Sequence, residues 1–112
     1  MSTFVVFNRI PTYIQGKTET TIFSNPPDGV CVVGGIFVGN NSAQGISIMV
    51  NLNNALFTSP YTLFTNVGLS GYSSLDLLSS TITMTVGDSL SIVSQSSTAS
   101  YTTLVSYRQI TG

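Results

Sequence analysis

The sequence has no histidine, no tryptophan, one cysteine and seven charged side chains, three basic and four acidic. Each shortage closes off a class of function. Without histidine the usual base for a serine or cysteine nucleophile is missing, and one cysteine leaves zinc short of ligands. No G-x-S-x-G elbow occurs, and a serine–lysine pairing would have only Lys17, which sits beside Gly16 in a predicted loop. Calcium would need several oxygen ligands in one loop, and no Asp-rich loop is present. The segment VVGGIFVG carries glycines without the spacing of a dinucleotide or phosphate loop, so no cofactor is expected. Arg9, Lys17 and Arg108, against a net charge of −1, are too few to neutralise a phosphate backbone, which argues against nucleic acid as a partner. No apolar run approaches the ~20 residues of a membrane helix. The start MSTFVVFNRIP has no basic region before its apolar residues, so no signal peptide is read and synthesis in the cytoplasm is expected. Cys31 lacks an internal partner and lies in the apolar run VCVVGGIFVG, where a free thiol acts as a small buried hydrophobe.

What the chain does have is an apolar fraction of 42% and a polar surface made of hydroxyls and amides. Charged residues make up 6%, against about a quarter in ordinary domains, and Ser, Thr and Asn fill about a third of the chain. Its 112 residues suit one domain with one core, too apolar and too uncharged to stay unfolded. A net charge near zero gives little protection against association, which suits a protein that works packed against others.

The dominant sequence signal has period two. In ISIMVNL (46–52), Ile46, Ile48, Val50 and Leu52 share one face. TITMTVGDSLSIVS aligns Ile82, Met84 and Val86 before a turn and Leu90 and Ile92 after it, which reads as a hairpin. YTLFTNV (61–67), SLDLLSS (74–80), TETTIFS and YTTLVSYRQI (101–110) are further candidate strands. VCVVGGIFVGN is apolar on both faces and suits a central strand covered on both sides, with Gly34 and Gly35 marking a bulge or close backbone approach. No helical period is sustained, and turn clusters recur about every 8 to 12 residues. The fold expected is all-β: a single-domain antiparallel β-sandwich, jelly-roll-like, of seven or eight strands. Residues 17–112 would form the sandwich. Residues 1–16, with Phe4, Val5, Val6, Phe7 and Ile10 before Pro11 and a short link through Gly16, are either its first edge strand or an arm that adds to a neighbouring subunit.

Asp88 follows Gly87 between two alternating runs, and the pair has standard turn chemistry: a glycine free to take positive φ and a carboxylate able to accept backbone N–H groups. General acid–base work would require a second titratable group within reach. Asp76 lies in SLDLL and points to solvent, Asp28 sits in the turn SNPPDG, and Glu19 precedes a strand. The aspartate is therefore assigned to folding, and no enzymatic activity is expected.

The order TIFS, PPDG, VVGGIFVGNNS, ISIMVNL, YTLFTNVGLSGYSSLDLLS, ITMTVGDSLSIVSQSS and YTTLVSYRQI resembles the small β-sandwich virion proteins of tailed bacteriophages over residues 20–112. The resemblance implies a non-enzymatic structural protein, foremost a capsid decoration or cement protein that binds and stabilises the assembled shell at the surface of the phage particle. Its implied partners are the major capsid protein or another virion protein, and further copies of itself. No catalytic residues follow from the resemblance. The alternative is a carbohydrate-binding or receptor-binding sandwich of a tail fibre, in which Tyr61 or Tyr72 would offer a flat ring to a sugar. Phe4, Val5, Val6, Phe7, Ile10, Tyr61 and Tyr72 are the candidate interface residues.

Overall fold

Alternation along each strand decides which side chains turn inward, and it organises two antiparallel sheets. The computed structural model describes residues 4–26, 29–54, 56 and 59–111, with side chains from Asn8 to Ile110. The strands are β1 (Phe4–Gln15), β2 (Thr20–Ser24), β3 (Val30–Asn40), β4 (Ile46–Asn53), β5 (Tyr61–Leu69), β6 (Ser74–Asp76), β7 (Ile82–Met84), β8 (Ser89–Ser94) and β9 (Ser100–Thr111). One sheet runs β1-β9-β3, with β6 and β7 both on the far side of β3; the other runs β2-β8-β4-β5. β6 faces Phe37–Gly39 and β7 faces Cys31–Val33, so the two are halves of one broken edge strand. Counted that way, the described residues form an eight-stranded jelly roll.

Ile46, Ile48 and Val50 of β4 and Leu90 and Ile92 of β8 fill the core from one sheet. Cys31, Val33, Ile36 and Val38 of β3 and Tyr101 and Val105 of β9 fill it from the other. Phe23 of β2 meets Tyr107 of β9 edge-to-face across the sandwich, with ring centroids 4.8 Å apart. In β3 the register against β9 shifts between Val33 and Gly35. This is the bulge expected at Gly34. The extra residue moves the inward side from the odd positions Cys31 and Val33 to the even positions Ile36, Val38 and Asn40.

Several expectations are corrected. TITMTVGDSLSIVS is not a hairpin: β7 pairs with β3 in one sheet, while β8 pairs with β2 and β4 in the other. The VGD turn is an arch between sheets, and Val86, expected on the inner face, is exposed because the chain is already crossing over there. SLDLLSS supplies only a three-residue strand, after which Leu77 and Leu78 tuck against the core. The link expected after Pro11 is strand as far as Gln15. Proline is tolerated because β1 is an edge strand. Finally, among the described residues β3 is covered on one side only: Val30 and Phe37, on its outer side, are 36% and 44% exposed.

Candidate interaction surface

The carboxylates show how the sequence spends its few charges. Asp88 Oδ2 accepts the Thr85 N–H at 2.9 Å and the Thr85 hydroxyl at 3.2 Å, and Oδ1 accepts the Asn54 amide at 2.6 Å. The Asp88 N–H donates to the Thr85 carbonyl at 3.0 Å, and Gly87 sits at φ +88°, as the third residue of a type II turn requires. The Asp88 carbonyl accepts the Asn25 N–H at 2.9 Å, so one residue ties the arch to the ends of β2 and β4. Glu19 Oε2 accepts the Ser91 hydroxyl at 2.6 Å and the Asn51 amide at 3.4 Å. Asn51 Oδ1 in turn accepts the Thr62 hydroxyl at 2.9 Å, making a polar row across the outer face of the β2-β8-β4-β5 sheet. Asp76 is exposed, and its Oδ1 accepts the Leu78 N–H at 3.1 Å. Asp28 lies outside the described residues. Among the described residues no three of His, Cys, Asp and Glu gather as metal ligands would.

The Asn-Asn-Ser segment that ends β3 is also architectural. Buried Asn40 donates from Nδ2 to the carbonyls of Gln44, Leu69 and Ser70 at 2.8, 3.3 and 3.1 Å. Its Oδ1 accepts the N–H and the hydroxyl of Ser42 at 3.0 and 2.7 Å. This clamps the 41–45 loop to the loop after β5.

The outer face of the β1-β9-β3 sheet carries the exposed apolar side chains Tyr13, Val30 and Phe37. The register aligns Pro11, Leu104 and Phe37 in one row across it, and Val30 with Ile110 in another. Phe37 folds back over Gly35, where an added Cβ would lie 2.9 Å from the ring. Beside the bulge a shallow cleft of about 330 Å³ is lined by Val32, Gly34, Thr81, Ser106, Tyr107 and Arg108. Among the described residues the ionic groups that the register places on this face are Arg9, Arg108 and Asp76.

The candidate interface residues named from sequence are scattered. Ile10 is half-buried against the core, and the side chains of Phe4, Val5, Val6 and Phe7 lie outside the described residues. Tyr61 and Tyr72 are both exposed but stand at opposite ends of β5, so the fold does not assemble them into one platform. Sequence reasoning missed Phe37, which it placed on a covered strand, and Tyr13, which it placed in a link. Tyr13 is exposed, and its hydroxyl is within 2.8 Å of the Ser100 hydroxyl. For Phe37, the exposed face follows only once β3 is known to have no third layer over it.

No family model matches the chain, and no curated protein matches it. Solved structures do. A subunit from Bacillus endospore appendages, described as a novel family of disulfide-linked pili, is similar at a TM-score of 0.63 and 12% identity, over 100% of this chain and 93% of that one. A chain of infectious bursal disease virus, Gx strain, is similar at a TM-score of 0.59 and 16% identity, over 99% of this chain. The Gt strain gives 0.52 and 12% over 98%. This protein spans 33% of each viral chain. At these identities the likeness is one of fold.

Proposed function

We propose that this protein is a non-enzymatic structural subunit of an assembled particle, and specifically a decoration protein that reinforces the shell of a tailed bacteriophage. The observation that carries the reading is the outer side of β3. VCVVGGIFVGN has the composition of a strand covered on both sides, yet the described residues cover only one, leaving Val30 and Phe37 exposed beside half-buried Val32 and Leu104. An apolar face of this kind, with few charges around it, fits burial against another protein. Repetition of one modest contact over many equivalent shell sites would supply avidity. The pilus-forming and viral neighbours support an assembly role, since both come from repeating structures.

The test is co-sedimentation with emptied phage shells. Phe37→Ser removes the ring from the exposed face while leaving the buried side of β3 untouched, so it should cut shell binding at least about tenfold with little change in melting temperature. Undiminished binding by Phe37→Ser would remove the outer face from the reading. Binding by the purified protein to a glycan array, with none to shells, would favour the tail-fibre alternative.

A further inference from the structure

The two sheets end in edges of very different quality. β2 is five residues long, with a register shift between Thr21 and Phe23. β5 is interrupted twice against β4 and contains Asn66 at φ +49°. β6 and β7 have three residues each. These are the short or irregular edges that keep a β protein from adding strands. β1 differs: it pairs with β9 over twelve residues with no register shift, and among the described residues no strand pairs with its other side.

Gly16 donates its N–H to the Ala99 carbonyl at 2.8 Å, and Asn41 donates to the Ser100 carbonyl at 2.8 Å. So Ala99 turns its backbone groups toward β1, and Ser100 turns its own toward β3. Because these directions alternate along an antiparallel ladder, the even residues of β1 bond to β9. The odd residues Val5, Phe7, Arg9, Pro11, Tyr13 and Gln15 then present their backbone groups to the open edge. Pro11 falls on that side, where its missing N–H costs β9 nothing.

We infer that the open edge of β1 pairs antiparallel with β1 of a second copy about a two-fold axis at Phe7, joining two sheets into one. A row of unpaired N–H and C=O groups is recognised by another strand, and among the described open edges only that of a second β1 matches its length and regularity. Three symmetric registers centred on edge-facing residues differ sharply. Centring on Pro11 sets two pyrrolidine rings against each other in the ladder. Centring on Arg9 apposes two guanidinium groups and places Pro11 opposite Phe7, with like charges directly across being destabilising. Centring on Phe7 pairs Val5 with Arg9 on both sides, forms bonds at Val5, Phe7 and Arg9 of each copy, and leaves both prolines beyond them. The inference is independent of the shell: a protein that never bound a phage particle could still dimerise this way, so the two proposals fail separately.

The test uses the full chain in sedimentation velocity and oxidative cross-linking. The unaltered protein should show a concentration-dependent dimer. Arg9→Pro replaces an N–H that faces the open edge and not β9, so it should keep the melting temperature while weakening the dimer at least about tenfold. Arg9→Ala, which keeps the N–H, should still dimerise. Phe7→Cys should cross-link to its copy on oxidation, whereas Arg9→Cys should not. A monomer at every soluble concentration, an unimpaired Arg9→Pro dimer, or cross-linking at position 9 and not 7 would overturn the inference. Open-ended oligomers in place of a dimer would also overturn it, in favour of head-to-tail strand addition.

Discussion

At the scale of single residues, the most informative side chains are polar and out of place. Tyr101 and Thr103 lie on the inner face of β9, fully buried, and neither hydroxyl has a hydrogen-bond partner. Such a group costs stability relative to an apolar one of the same shape. Burial also pushes the Tyr101 phenol from 10.0 up to about 12. Because the folded form holds the proton more tightly than the unfolded chain, this contribution to stability is complete below about pH 10 and is lost as pH rises toward 12. Tyr101→Phe should therefore melt at the same temperature or higher at neutral pH, and its melting temperature should fall less than the parent's between pH 10 and 12. A clearly lower neutral-pH melting temperature would mean the hydroxyl is satisfied. Asp88 makes the opposite case, since its carboxylate is fully engaged with Thr85 and Asn54. Asp88→Ala should lower stability by about 1 kcal/mol. Shell binding, measured by the same co-sedimentation, should be unchanged; loss of binding at full stability would give the aspartate a role beyond the turn.

At the scale of elements, local pattern was legible wherever one face alone decides it. β4 shows its inner face in Ile46, Ile48 and Val50, and the bulge in β3 is announced by two adjacent glycines because only a break in alternation makes use of them. Pairing was not legible. The segment around Gly87 and Asp88 has the composition of a hairpin turn, and the same composition serves an arch, since a type II turn reverses the chain whether the next strand returns to the same sheet or crosses to the other. What decides is the partner, and the partners of β7 and β8 lie far away in sequence. The exposed face of β3 was hidden for the same reason: an apolar run reports that both sides seek cover, without saying whether this chain or another supplies it. The Asn-Asn-Ser segment was legible only as the end of an apolar strand, and its purpose became visible when Asn40 met carbonyls from across the loop.

At the scale of the whole molecule, the question is what could hold copies or partners together. The similar endospore appendage subunits are described as disulfide-linked, whereas the one cysteine of this chain is buried. Its one cysteine, Cys31, is completely buried opposite Met84 in the core, where desolvation raises the thiol above its ordinary range and keeps it in the unreactive protonated form. Two consequences can be measured together. A thiol reagent should label Cys31 no faster than the protein unfolds, so that labelling speeds up with denaturant in step with the unfolding rate. Self-association and shell binding should both be unaffected by reductant. Rapid labelling of the native protein, or complexes that come apart when a reductant is added, would mean that Cys31 reaches the surface and that the molecule is linked through sulfur after all.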